Sequence, residues 1–149
     1  RHLIRTRELQ RETGGFTEFV GLPFVHMASP IYLRKGARRG PTFRENLLVH
    51  AIARIVYHGY IDNIQASWVK IGLDGMKQML QAGVNDVGGT LNGENISRAA
   101  GAKHGQMLGK SQFEELCQPL GRELIQRTTL YKTHRGPEGQ RKHIPVAAG

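Results

Sequence analysis

The fold class is decided by the stretch Val84-Asn85-Asp86-Val87-Gly88-Gly89-Thr90, which continues through Leu91-Asn92-Gly93-Glu94 into Asn95-Ile96-Ser97-Arg98. It begins as a short apolar strand and passes through two glycines into polar residues and a helix. Gly88 and Gly89 lack Cβ atoms, so a ligand can lie against the backbone amides there. The pattern predicts either a ligand-facing strand end or a glycine turn that leads to a helix cap at Asn95.

The chain as a whole alternates helices and strands. Strands are predicted at Phe16–Leu22, Asn63–Lys70 and Val84–Val87, because these segments are rich in branched and aromatic residues or alternate polar with apolar ones. Helical spacing of apolar residues precedes the first strand and follows each of the three. This order predicts right-handed βαβ units and a parallel sheet, which is an α/β fold.

Two helix starts carry a capping-box pattern, Thr42 with Glu45 and Ser111 with Glu114. A long loop is predicted before the first of these helices, from about 25 to 41, and such loops are often functional. Further helices are predicted over 3–13 and from about 74. We expect one domain over residues 1–132 and a polar, flexible tail over 133–149.

The middle strand carries polar residues on one face. Gln65 and Ser67 alternate with Ile64, Ala66 and Trp68, so the two sets lie on opposite faces. Parallel strands are usually covered on both faces, which keeps those polar side chains away from bulk solvent. We therefore expect a barrel or crevice with a polar interior, in which ligands meet the carboxyl ends of the strands.

The candidate site residues lie in or beside the predicted strands and at their ends. Carboxylates within a sheet are costly unless they are hydrogen-bonded or face a site, and a histidine or lysine at a strand end can move a proton or neutralise an anion. Each also has an ordinary interpretation as a structural or solvated side chain. The candidate catalytic residues are His26, Lys70, Glu18 and Asp86, and the candidate substrate- or cofactor-binding residues are Gln65, Ser67, Gly88, Gly89, Thr90 and Asn95.

The net charge of +9 is concentrated in residues 34–44, at the amino terminus and after Arg122. Such clusters can bind nucleic acid, another polyanion or a phosphate group. Exposed aromatics are not interleaved with them, and no helix-turn-helix, RNA-binding sheet or zinc-finger pattern is present, so we expect no specific nucleic-acid binding. A basic polyanion- or phosphate-binding module remains the alternative function.

Metal, redox and membrane signals are weak. The seven histidines lack metal-ligand spacing, and the one cysteine, Cys117, lies on an apolar helix stripe, so we expect no metal site. We also expect a cytoplasmic protein that does not enter a membrane, since no apolar run approaches about 20 residues. The chain begins at Arg1 inside a predicted helix, from which we expect further sequence upstream.

Several long motifs in a fixed order resemble a known family. They span roughly residues 1–131, and this combination resembles the carboxy-terminal part of the tyrosine-using half of the FO synthase family, a group of radical S-adenosylmethionine enzymes. The motifs are Gly14-Gly15-Phe16-Thr17-Glu18-Phe19-Val20, Leu22-Pro23-Phe24-Val25-His26-Met27, Arg38-Arg39-Gly40-Pro41-Thr42-Phe43-Arg44-Glu45, Asn63-Ile64-Gln65-Ala66-Ser67-Trp68-Val69-Lys70, Gly88-Gly89-Thr90-Leu91 and Asn95-Ile96-Ser97-Arg98-Ala99-Ala100-Gly101-Ala102.

The resemblance implies the fold and the reaction. The fold would be the last three βα units of a TIM-like (β/α) barrel. The reaction would release a hydroxybenzyl fragment from tyrosine and join it to 5-amino-6-(D-ribitylamino)uracil, a step in deazaflavin coenzyme synthesis. S-adenosylmethionine and a 4Fe-4S cluster would supply the radical. Implied partners are the amino-terminal part of the barrel and the other FO synthase subunit or half.

The family's three-cysteine cluster loop is absent from this chain, and Cys117 cannot replace it. Three βα units cannot close an eight-stranded barrel either, so we expect the isolated chain to be an inactive fragment. The chain departs from the family pattern at Gly21, Gly59 and Asn92-Gly93, which affects loop detail. Radical enzymes of menaquinone synthesis share the general strand pattern and remain a related alternative.

Overall fold

The computed structural model describes residues 1–90, 99–101 and 108–133. The predicted cap at Asn95 and the predicted tail beyond Thr133 lie outside these residues. Within them, a 3-10 turn at Gln118–Leu120 follows the last helix. The elements in chain order are α1 (His2–Thr13), β1 (Phe19–Val20), α2 (Pro30–Leu33), α3 (Phe43–Val56), β2 (Ile64–Gln65), α4 (Trp68–Gln81) and α5 (Lys110–Cys117).

Three chain segments run side by side and parallel. β1 pairs with β2 in the register Phe19 to Ile64 and Val20 to Gln65. Gln65 also forms a parallel bridge with Asp86, which marks the predicted third strand. The predicted α/β class with parallel strands is therefore confirmed, and the strands lie in chain order, as successive βαβ units require.

The regular strands are shorter than the sequence predicts. The predicted strand Asn63–Lys70 is wrong in its second half, because α4 begins at Trp68 and Ser67 is its extended N-cap. The alternation of polar and apolar residues continues past the end of the strand, because Trp68 in the first turn of the helix is buried and therefore also apolar. Lys70 consequently lies on α4 rather than at a strand end. The helix start predicted near Asp74 agrees with the second segment of α4, which begins after a kink at Gly72 (φ 73°, ψ 176°).

One of the two predicted capping boxes is confirmed. The Thr42 hydroxyl accepts the Glu45 N–H (3.2 Å), and the Glu45 carboxylate accepts the Thr42 N–H (2.7 Å). These bonds hold the pKa of Glu45 below its usual value. The box predicted at Ser111 is wrong, because the N-cap of α5 is Gly109 and Ser111 is already helical.

The hydrophobic core lies on one side of the three strands, under α3 and α4. Ile64 and Ala66 point into it from β2 and its extension, and Val84 does so from the third strand. Arg54 on α3 closes the amino ends of these strands by donating to the carbonyls of Gly83 (2.6 Å) and Asp62 (2.8 Å). The other side of the strands, which the described helices leave uncovered, therefore carries the polar side chains. Among the described residues, every helix is too short or too polar to cross a membrane.

Candidate functional site

Three polar side chains line the uncovered face of the strands: Glu18, Gln65 and Asp86. The register places Val20, Gln65 and Asp86 level with one another, and Glu18 lies two residues before Val20 on the same face. Asp86 is buried, whereas Glu18 and Gln65 are half-buried. Two carboxylates and an amide therefore share one surface that would face the interior if the sheet curved into a barrel.

Arg127 holds all three side chains from the carboxy-terminal segment. Its Nε and Nη2 lie 2.6 and 2.5 Å from Asp86 Oδ2. Its Nη2 also donates to Gln65 Oε1 (3.2 Å) and lies 3.6 Å from Glu18 Oε2. The guanidinium thus supplies the countercharge that lets two carboxylates occupy the same face.

Tyr131 connects the two carboxylates directly. Its hydroxyl oxygen lies within hydrogen-bonding distance of Glu18 Oε2 and of Asp86 Oδ2, the latter at 2.7 Å, and its one proton is donated to either carboxylate. The Arg127 guanidinium stacks on the phenol ring, 4.1 Å from its centroid. Burial, followed by the hydrogen bonds to the carboxylates, raises the pKa of Tyr131 far above its usual value, so the phenol keeps its proton.

Gly88 adjoins this polar cluster of Glu18, Gln65, Asp86, Arg127 and Tyr131. Its N–H donates to Asp86 Oδ1 (2.7 Å), and its φ of +74° favours glycine. A Cβ at Gly88 would lie 3.2 Å from Gln65 Nε2. The first glycine of the pair therefore packs against the cluster and orients Asp86.

A second region with candidate residues is a cleft of about 430 Å³ between α3, α4 and the loop after β1. Its lining includes His26, Lys70 and Phe43. The Gly40 N–H donates to His26 Nδ1 (3.2 Å), so Nδ1 is the accepting nitrogen of the ring. The cleft thus combines an imidazole and an ammonium group beside apolar surface.

Comparison with known proteins identifies the family. Residues 13–138 match the family model described as the CofH/MqnC C-terminal region. The chain belongs to this family. Its relatives include proteins named FO synthase from Nocardia farcinica and Mycobacterium tuberculosis, which are 55% and 52% identical to it over 130 residues. A third relative, from Methanopyrus kandleri, is named 5-amino-6-(D-ribitylamino)uracil--L-tyrosine 4-hydroxyphenyl transferase and is 51% identical over 131 residues.

The match covers most of this chain and a small part of each relative. It includes 87% of this chain but 15% of the Nocardia and Mycobacterium proteins. For the Methanopyrus protein the shares are 88% of this chain and 36% of the relative. The same CofH/MqnC region is therefore found in proteins of two very different lengths. The resemblance to FO synthase that the sequence motifs indicated is confirmed.

The structure divides the predicted site residues into two groups. It brings Glu18, Gln65 and Asp86 together with Gly88, and it brings His26 and Lys70 into the cleft. The other predicted site residues belong to neither group. Ser67 is the N-cap of α4 but makes no side-chain cap bond, and the Gly89 carbonyl accepts the Trp68 indole N–H (3.1 Å). Thr90 is exposed, and Asn95 lies outside the described residues.

Sequence reasoning missed Arg127 and Tyr131. They lie in a charged stretch close to the predicted tail, where no motif or periodicity marks them. One signal was available, since Tyr131 is the one aromatic residue after Arg122. A single aromatic residue in a charged segment indicates that this segment packs against the rest of the protein instead of extending into solvent.

The residues present do not fit an iron–sulfur cluster. Cys117 packs into the core from α5, and burial raises the pKa of its thiol, which opposes metal binding. In the described ranges, no three His, Cys, Asp or Glu side chains are grouped so as to hold a metal ion.

Proposed function

We propose that this chain forms three consecutive βα units of a radical S-adenosylmethionine transferase. The complete enzyme would join the tyrosine-derived hydroxybenzyl group to 5-amino-6-(D-ribitylamino)uracil in deazaflavin coenzyme synthesis. The observation that carries this proposal is the polar cluster on the uncovered face of three parallel strands, in a chain of the CofH/MqnC family. The names of the relatives supply the substrates.

The strand arrangement supports an incomplete barrel. Three parallel segments leave hydrogen-bonding groups at the outer edges of β1 and of the third strand. A TIM-type barrel removes such edges with eight strands and places its ligands inside. We infer that other residues of the complete enzyme pair with both edges and enclose the polar cluster. The proposed functional partner of that enzyme is the other FO synthase subunit or half, and its proposed location is the cytoplasm.

The chain's own contribution would be binding and orientation. S-adenosylmethionine and a 4Fe-4S cluster, bound elsewhere in the barrel, would supply the radical chemistry. Gln65 and Glu18 offer hydrogen-bonding groups on the interior face, and His26 and Lys70 would hold or protonate polar substrate groups at the adjacent cleft. We assign Ser67, Gly88, Gly89, Thr90 and Asn95 to the surrounding wall.

The first test compares the isolated chain with the complete enzyme. After cluster reconstitution, the isolated chain should not cleave S-adenosylmethionine reductively, whereas the complete enzyme should cleave it and transfer the hydroxybenzyl group. Reductive cleavage by the isolated chain would refute its role as a part of the barrel. A complete enzyme that cleaves S-adenosylmethionine but leaves 5-amino-6-(D-ribitylamino)uracil unmodified would refute the assigned substrates.

A second test concerns the site. Gln65→Ala in the complete enzyme should impair turnover while leaving iron and sulfide content at the wild-type level. Lys77→Ala is the matched control, because Lys77 is an exposed residue of α4 outside both groups. Equal turnover of the Gln65 variant and the wild type would remove Gln65 from the site.

A further inference from the structure

The side-chain amide of Gln65 has a fixed orientation. Arg127 carries only hydrogen-bond donors, so the atom of Gln65 that faces it at 3.2 Å must be the carbonyl oxygen Oε1. The amide nitrogen Nε2 is thereby directed away from Arg127. It lies beside Gly88, where the missing side chain leaves room.

Glu18 has an available acceptor next to this donor. The contacts of its carboxylate with Tyr131 and Arg127 are both made by Oε2. In the part of the chain that the structure describes, neither Glu18 Oε1 nor Gln65 Nε2 has a hydrogen-bond partner. Both side chains approach the same nitrogen of Arg127, at 3.2 and 3.6 Å, so the open donor and the open acceptor belong to neighbouring side chains on the polar face.

The charge of the cluster limits what can bind there. Glu18 and Asp86 together exceed the single charge of Arg127 by one negative charge, and Tyr131 stays neutral. A ligand carboxylate at this place would be repelled, whereas a neutral ring with a carbonyl beside an N–H would satisfy both open groups. A uracil ring has such an edge, because its N3–H lies between two carbonyl groups.

We propose that Gln65 and Glu18 bind the imide edge of the pyrimidine substrate, and that Arg127 and Tyr131 position them. Gln65 Nε2 donates to a ring carbonyl, and Glu18 Oε1 accepts the ring N–H. Arg127 sets the amide orientation, and Tyr131 holds the Glu18 carboxylate from its other oxygen. This inference rests on the proposed function and names the substrate that the polar cluster recognises.

The turn that carries both positioning residues is itself ordered by hydrogen bonds. The Tyr131 N–H donates to the Thr128 carbonyl (3.0 Å), and the Thr128 N–H donates to the Lys132 carbonyl (2.8 Å). Arg127 and Thr133 form an antiparallel bridge across it. The two side chains therefore reach the cluster as one unit, stacked on each other.

The test is a calorimetric titration of the complete enzyme with 5-amino-6-(D-ribitylamino)uracil, and separately with tyrosine and with S-adenosylmethionine. Gln65→Glu keeps the oxygen that contacts Arg127 and replaces the donor nitrogen with an acceptor. We expect pyrimidine binding about ten- to a hundredfold weaker, because a ligand carbonyl loses its donor. Tyrosine and S-adenosylmethionine should bind as they do to the wild type. Unchanged pyrimidine affinity, or an equal loss for tyrosine, would overturn the proposal.

Positioning is tested with a double-mutant comparison. Arg127→Lys should raise the KM for the pyrimidine roughly tenfold with little change in kcat. Its effect should be smaller in the Gln65→Glu background, since Arg127 acts in part by orienting the Gln65 amide. Arg122→Lys is the matched control, because Arg122 lies on the same segment and donates to the Val84 carbonyl instead. Full additivity of the two substitutions would exclude positioning.

A change in the ligand instead of the protein tests the proposal even if the variants fail to fold. A pyrimidine analogue methylated at N3 lacks the N–H that Glu18 would accept, and it should bind the wild-type enzyme at least tenfold more weakly than the natural ring. Equal binding of the two would overturn the proposal. These titrations do not require turnover, so they remain decisive even if the enzyme transfers no hydroxybenzyl group and the proposed function fails.

Discussion

Arg127 Nη2 lies 2.5 Å from Asp86 Oδ2, although 41 residues separate the two in the chain. Asp86 belongs to the third parallel segment, whereas Arg127 belongs to the turn that follows α5. Because the Asp86 side chain is only 7% exposed, the contact with Arg127 compensates for its loss of solvent. The carboxy-terminal segment is therefore part of the polar face of the strands.

Removal of Arg127 should destabilise the protein. Arg127→Met would leave Asp86 buried without its countercharge, and we expect a loss of about 2–4 kcal/mol, because fully buried pairs cost roughly 3–5 and Arg127 is partly exposed. Urea unfolding measures the change. The double variant Arg127→Met with Asp86→Asn should recover part of the loss, and a single variant as stable as the wild type would show that the pair contributes nothing.

Arg54 should also stabilise the protein, at the amino ends of the strands. It donates to two backbone carbonyls and to Asn85 Oδ1 (2.6 Å), which joins α3 to the starts of β2 and the third strand. Arg54→Met should cost about 1–3 kcal/mol, since three hydrogen bonds from a charged and half-buried guanidinium are lost. Arg44→Met, at an exposed position of the same helix, should change the free energy of unfolding by less than about 0.5 kcal/mol. Similar values for the two variants would contradict this assignment.

Gly40 should tolerate no side chain. A Cβ there would lie 2.0 Å from the Phe24 carbonyl oxygen, where backbone must move to make room. Gly40→Ala should destabilise the protein by about 1–3 kcal/mol and disturb the wall of the cleft that His26 lines. The control is Gly15→Ala, whose nearest neighbour would be 3.5 Å away. Thermal unfolding of the two variants tests this prediction, and equal melting temperatures would refute it.

Stability should fall in alkaline solution partly through Tyr131. Its folded-state pKa is raised, so the stabilisation is fully present below the unfolded value of about 10 and is lost as the pH rises above it. Tyr131→Phe should make the decline above pH about 10 shallower. Tyr57 and Cys117 also have raised pKa values through burial and should account for part of the remaining slope. Unfolding free energies measured from pH 8 to 11 test this, and an unchanged slope in Tyr131→Phe would contradict it.

The sequence predicted the repeating order and the helix start at Thr42 better than the strand ends. The capping box at Thr42 depends on residues three apart, and so it could be identified locally. The end of β2 could not be identified locally. The alternation of apolar residues continues into α4, because Trp68 is buried as the first residue of that helix. Lys70 was placed at a strand end for the same reason. The second capping pattern failed at Ser111 because the N-cap of the helix is Gly109, two residues earlier.

The sequence by itself determined the α/β class, the family and three members of the polar cluster, Glu18, Gln65 and Asp86. Strand periodicity and carboxylates within a sheet are local properties, which a linear pattern can express. Only the tertiary structure decided that Arg127 and Tyr131 complete this cluster, and that His26 and Lys70 lie in a separate cleft. Charge pairing depends on distances between side chains, and the fold sets those distances across 41 or more residues in ways that no local pattern encodes.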